Sequence, residues 1–219
     1  MWMLPTPVQV ASTNGLTPFG LPILPFGAAP LLAALEPEEP EPKENVLEVH
    51  HDHRYNVNHI LSDNVLKSDY FKSLYELKTF HEVIDEIINE VRHLEAHTVG
   101  HQRTPSTAFC LLYKFFVMKL TIRQVSELLK NKKSQFVRGI GFIYLRYLIP
   151  PKDLWDWFDE FFSDETDVAP GVDQSQKMPF GKWVESLITE QKYFATIFPR
   201  IPVPMMREYK KKLLLRERA

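Results

Sequence analysis

From about Asn56 onward, apolar residues recur three and four positions apart, the spacing that buries one face of a helix. Val65, Leu66, Tyr70, Phe71 and Leu74 form the first such stripe, with Ser62 ahead of it as an N-cap for a helix over 63–77. Val83, Ile84, Ile87, Ile88, Val91 and Leu94 form a second stripe over 79–94. Thr79 followed three residues later by Glu82 is a capping-box pattern, and Glu82, Asp85, Glu86, Asn89 and Arg92 cover the other side. A polar loop is expected over 96–105. The run STAFCLLYKFFVMKL (106–120) is apolar nearly all round, which predicts a central buried helix too short to span a membrane.

Thr121 reads as the cap of another helix, with Val125, Leu128 and Leu129 inward. SQFVRGIGFIYLRYLI (134–149) is a second strongly apolar helix. Gly139 and Gly141 inside it each cost about 1 kcal/mol relative to Ala, so they imply close approach of a neighbouring helix. Pro150 stops this helix and Pro151 opens the next, an aromatic and acidic one over 152–162. A polar loop over 163–178 and a helix over 180–189 follow. FPRIPVP (198–204) is expected to be extended, because it holds three prolines in seven residues. The run 205–218 reads as a basic helix or frayed tail. No run alternates as a strand bounded by turns. The expectation is an all-α fold: a single compact domain of about six to seven helices over 51–204, a disordered Pro-rich and acidic tail over 1–50, and the basic segment 205–219.

Composition separates the first segment from the rest. Of 17 prolines, nine lie in the first 42 residues, and no charged side chain occurs before Glu36. Repeated proline removes backbone donors and favours extended chain, so no core forms there. The segment reads as a spacer, or as a docking stretch for a proline-recognition module. It lacks the basic start and unbroken apolar run of a secretory signal, and no run matches the roughly 20 apolar residues of a membrane helix. A soluble intracellular protein is expected. A net charge of −2 rules out nucleic-acid binding by bulk positive charge. One cysteine, Cys110, rules out an internal disulfide.

No motif of a nucleotide-binding or hydrolytic enzyme is present: neither a P-loop, nor G-x-G-x-x-G, nor G-x-S-x-G. His50, His51, Asp52 and His53 are consecutive and read as a solvated linker. His93, His97 and His101 are spaced by four, but Gly100 interrupts the spacing and the order H-x-E-x-H turns Glu95 away. Neither group is expected to hold a metal, and no cofactor is expected. Cys110 lies on an apolar helix and reads as structural. Seven carboxylates between Asp153 and Asp167 are interleaved with Trp155, Trp157, Phe158, Phe161 and Phe162. They form either a solvated acidic face or a docking surface for a basic helix or tail. Trp155, Asp156, Trp157, Asp159 and Glu160 are its candidate partner-binding residues. Arg138 and Arg146 are too expensive to bury alone and are expected to pair with Glu82 or Glu86. The last 13 residues carry a net charge of +4, which suits an acidic partner, phosphate or a solvated terminal helix.

Four longer motifs occur in order: YFKSLYELKTFHEVIDEI (70–87), STAFCLLYKFF (106–116), FVRGIGFIYLRYLIPPKDLWDWF (136–158) and FPRIPVP (198–204). Together they resemble the N-terminal domain of the pre-mRNA-splicing factor 38 family over about residues 55–205, and LWDWF and FPRIPVP resemble its B-type branch more than the A-type. The resemblance implies an all-α domain without known catalytic activity. It implies a nuclear scaffold of the spliceosome at the tri-snRNP or precatalytic stage, needed for activation. It further implies partners that are other spliceosomal proteins, bound through helical segments, with RNA contact secondary and no membrane. B-type relatives often carry a longer Gly-rich insertion before STAFCLLYK, where this chain has only 93–105. An arginine/serine-rich extension common in the family is absent from these 219 residues.

Overall fold

The chain is described from a computed structural model, which covers residues 45–216 and 218. The expected disorder of the Pro-rich tail falls, up to residue 44, outside the described residues. All the described residues belong to one unit, Pro42–Ala219.

Nine α-helices are present among the described residues. The first predicted helix is two. α1 (His59–Lys67) is capped by Asn58, whose side chain accepts from the Ile60 N–H, and α2 (Asp69–Ser73) is capped by Ser68. Ser62 is not a cap: it is buried, and its hydroxyl meets Tyr113 Oη at 3.0 Å. Ser68 breaks the stripe because its hydroxyl offers the Phe71 N–H an alternative to continued helix.

α3 (Phe80–Glu90) starts at Thr79 with the full capping box. It ends four residues earlier than its stripe, since Val91 turns extended; Val91 and Leu94 stay buried as loop residues, and the Leu94 N–H donates to the Pro170 carbonyl. The loop that follows is a hairpin, β1 (His97–Thr98) with β2 (His101–Pro105), turned by Gly100 at φ +74°. Two more antiparallel pairs follow the same pattern: β3 (Asp167–Val168) with β4 (Met178–Pro179), and β5 (Lys192–Tyr193) with β6 (Thr196–Ile197). At two to five residues these strands are too short to show alternation in the sequence.

α4 (Thr107–Met118) and α6 (Gln135–Leu148) form the centre, joined by α5 (Ile122–Leu129), whose Thr121 builds a second capping box with Gln124. Aromatic rings connect them: Phe116 lies 5.4 Å from Tyr144 and 6.0 Å from Tyr147 between ring centroids. Both glycines admit a close neighbour, a helix at Gly141 as expected but chiefly a loop residue at Gly139. A Cβ on Gly141 would sit 3.0 Å from Leu128 of α5, and one on Gly139 would collide with Leu94. Residues 45–50, expected in the tail, lie against this centre: Leu47 is buried, and the His50 N–H donates to the Leu148 carbonyl at 2.7 Å. The histidine run is a pinned turn rather than a free linker, because Asp52 accepts from the Arg54 and Asn56 N–H groups and the Asn56 amide donates to the Tyr147 carbonyl.

α7 (Pro151–Phe158) leaves α6 through Pro150 and packs beside α8 (Phe180–Thr189). α9 (Val203–Arg216) begins inside the FPRIPVP motif, so the extended stretch ends at Pro202. Pro204 fits because the first helical turn has no backbone donor to lose. No helix among the described residues is long and apolar enough to cross a membrane.

Candidate partner-binding surface

The five aromatics after Pro151 separate by direction. Phe158 and Phe161 point inward, each with its ring centroid 5.0 Å from that of Phe142. Trp155 and Phe162 lie on the outer side, 5.3 Å apart, under α9. The Tyr209 ring of α9 lies tilted 5.6 Å from that of Trp155, and its hydroxyl donates to the Pro151 carbonyl. Lys212 places its Nζ 5.0 Å from the Trp155 centroid. Arg216 reaches Asp159 at 2.6 Å and the Ser163 hydroxyl at 2.9 Å, with its guanidinium 5.7 Å from the Phe162 ring. Trp155 and Asp159 are therefore covered by the chain's own basic helix. Asp156 is exposed with no ion pair among the described residues, Trp157 is half-buried at the rim, and Glu160 meets Lys130 at 3.6 Å on the surface. The acidic run is thus split between an inner part matched by α9 and an outer part facing solvent.

From the Glu160–Lys130 pair the surface opens into a groove of about 570 Å³ between the α5–α6 turn and β3. Its floor includes Leu129 and Phe161, one wall carries Lys130 and Lys132, and the other carries Asp164 and Asp167. Arg138 bridges the walls. Its guanidinium bonds the Asp164 carboxylate, donates to the Leu129 carbonyl at 3.2 Å and stacks 3.9 Å over the Phe180 ring. Burial raises the Asp164 pKa, but hydrogen bonds from Thr166 and Arg138 outweigh it and hold the carboxyl below the usual range.

The expected pairing of both arginines with α3 is wrong. Glu82 is spent on the Thr79 capping box, and Glu86 accepts from the Tyr70 hydroxyl at 2.9 Å. The arginines stand on the face of α6 that packs on α8, not on α3: Arg138 beside Phe180, and Arg146 donating to the Leu187 carbonyl at 2.7 Å. Arg146 has no carboxylate partner among the described residues. It is 2% exposed and lies 5.1 Å from the Phe198 ring, and burial lowers its pKa to about 10.

The remaining sequence candidates sit elsewhere. Burial lowers the pKa of His93 and of His97, and no cluster of three or more metal-ligating side chains occurs among the described residues. Burial pushes the Cys110 thiol up to about 12, which suppresses thiolate chemistry. Sequence reasoning missed the groove and the seating of α9. The first was signalled by KNKKS ahead of α6, the second by Tyr209, Lys212, Leu213 and Arg216 at positions i, i+3, i+4 and i+7.

Comparison with known proteins agrees with this architecture. The chain is 51% identical over 149 residues to pre-mRNA splicing factor SR-like 1 of Arabidopsis thaliana, covering 68% of this chain and 38% of that protein. It is 41% identical over 182 residues to human pre-mRNA-splicing factor 38B (74% and 33% covered), and 43% identical over 171 residues to the Danio rerio protein (69% and 34%). The chain thus spans between 33% and 38% of these relatives' length. Its fold resembles a chain in the crystal structure of the Snu23–Prp38–MFAP1(217–258) complex of Chaetomium thermophilum, with a TM-score of 0.61 at 17% identity, over 73% of this chain and 82% of that one. Residues 48–211 match the model of the PRP38 family, and the chain belongs to that family.

Proposed function

We propose that this protein is a nuclear pre-mRNA splicing factor: a non-catalytic helical scaffold that holds other spliceosomal proteins at the tri-snRNP or precatalytic stage and is required for activation. The observation that carries this reading is the 41–51% identity to named splicing factors. The fold neighbour, itself seen with Snu23 and a segment of MFAP1, supports partner binding through short segments. The surface formed by Trp155, Asp156, Trp157, Asp159 and Glu160 is the proposed contact. Asp156, Trp157 and Glu160, the last paired with Lys130, form the part that α9 leaves uncovered, and it continues into the groove beside Arg138. A half-buried Trp next to Asp156, exposed and unpaired among the described residues, suits a basic partner.

The test is affinity capture from nuclear extract followed by mass spectrometry. Wild-type chain is expected to retain tri-snRNP proteins, and Trp157→Ala with Glu160→Lys is expected to lose them while still unfolding cooperatively. Unchanged capture by the variant would remove the site, and capture without spliceosomal proteins would remove the function.

A second reading is RNA contact through the outer face of α9. Arg207, Lys210 and Lys211 are exposed there without an acidic partner among the described residues. Each phosphate contact adds about 0.7–0.9 to the slope of log affinity against log salt. Replacing the three by Glu is therefore expected to flatten that slope, and an unchanged slope would reject the reading.

A further inference from the structure

The inner face of α9 shows what the acidic–aromatic surface of α7 accepts. α9 contributes an aromatic ring, a lysine, a leucine and an arginine at i, i+3, i+4 and i+7, all from one side of a helix. Tyr209 meets Trp155 and the Pro151 carbonyl, Lys212 covers Trp155, Leu213 is buried, and Arg216 meets Asp159, Ser163 and Phe162. Each contact is matched by chemistry: cation over ring, guanidinium to carboxylate, hydroxyl to carbonyl. The hold on α7 is nonetheless slight, although α9 also packs on α8. Only Tyr209 and Leu213 are buried among the 14 residues of α9, and its one ion pair with this surface is more than a third exposed on both sides.

We propose that this surface is a binding site for basic helices with an aromatic, Lys, Leu and Arg at i, i+3, i+4 and i+7, and that α9 is its resident occupant, which a partner helix of that pattern must displace. The partner is a basic amphipathic helix of another protein, argued from the carboxylates left around the face and from the segment already seated on it. α9 then lowers the apparent affinity for any partner by the fraction of time it stays docked. The inference rests on the reading of this face as a partner surface, but it is tested separately.

The probe is a fluorescein-labelled peptide of sequence VPMMREYKKKLLLR, residues 203–216, titrated into the full chain. Tyr209→Ala with Arg216→Glu frees the surface from inside, and the variant is expected to bind the peptide about tenfold tighter than wild type. Adding Asp156→Lys and Asp159→Lys is expected to abolish that gain, and a scrambled peptide of the same composition is expected to bind weakly to all forms. Equal binding by wild type and variant would overturn the proposal, as would equal binding of the scrambled peptide. If the double variant melts without a cooperative transition, Arg216→Glu alone serves. Hydrogen exchange over 203–216 then confirms release, and release without tighter peptide binding is an overturning result. A wild-type chain that sediments as a dimer exchanging α9 would also overturn it. Spliceosomal capture lost in the Trp157/Glu160 variant, with no gain of peptide binding here, would leave the scaffold reading standing and remove this one.

Discussion

α6 and α9 are both 14 residues long, yet α6 buries eleven of them and α9 two. Both carry cations on the face that meets the protein. In α6 those cations are enclosed: Arg138 by Asp164, Leu129 and Phe180, Arg146 by Leu187 and Phe198. In α9 they lie on ring faces and one surface carboxylate, within reach of water and salt. Helix formation is common to both, but only α6 is surrounded. The contrast assigns stability to one helix and exchangeability to the other.

The largest break in this contrast comes from the centre. Phe142→Ala removes a ring that touches Phe158, Phe161 and Phe180, and it is expected to cost about 3–5 kcal/mol, read as a lower denaturation midpoint in urea. Next is Arg138→Ala. It strands the partly buried Asp164 carboxylate and is expected to cost about 2 kcal/mol by the same measurement. Asp164 also sets a pH dependence. Its folded pKa is lowered, so its contribution is full above the unfolded value of about 3.9 and is lost as pH falls through the lower folded value. Wild-type stability should therefore fall on acidification below about pH 4, and Asp164→Asn should flatten that fall, in urea titrations at successive pH values.

The surface helix should respond differently. Arg216→Ala is expected to cost less than about 1 kcal/mol globally, yet to raise hydrogen exchange along 203–216 while leaving 135–148 protected. The smallest effect is expected from Lys130→Ala. Both sides of its pair with Glu160 are well exposed, so a change within about 0.5 kcal/mol is expected from thermal melts. A loss at Arg216 as large as that at Phe142 would erase the distinction between the two helices.

Local chemistry was legible in the chain. Thr79 and Thr121 each cap the helix they precede, and Pro151 opens α7, because capping depends on neighbours two or three residues away. Gly139 and Gly141 announced close approach for the same kind of reason. The failures are non-local. Ser62 and Ser68 are both plausible caps, and only the position of Tyr113, 51 residues from Ser62, decides that Ser62 is buried. Val91 and Leu94 continue a helical stripe because a loop can bury them equally well. The arginines of α6 were paired with the wrong helix because periodicity gives a face but not the neighbour it meets. For the candidate surface, the residues of α7 were named from their mix of rings and acids. The spacing of Tyr209, Lys212, Leu213 and Arg216 marks an inner face on α9, but not that this face covers Trp155, more than 50 residues upstream.

Three donors, one backbone and two side-chain, converge on the joint between α6 and α7. The His50 N–H bonds to Leu148, the Asn56 amide to Tyr147, and the Tyr209 hydroxyl to Pro151. The joint thereby ties together segments far apart in the chain, Asn56 to Tyr147 across 91 positions and Tyr209 to Pro151 across 58, so loosening either flank is expected to loosen the end of α6 as well.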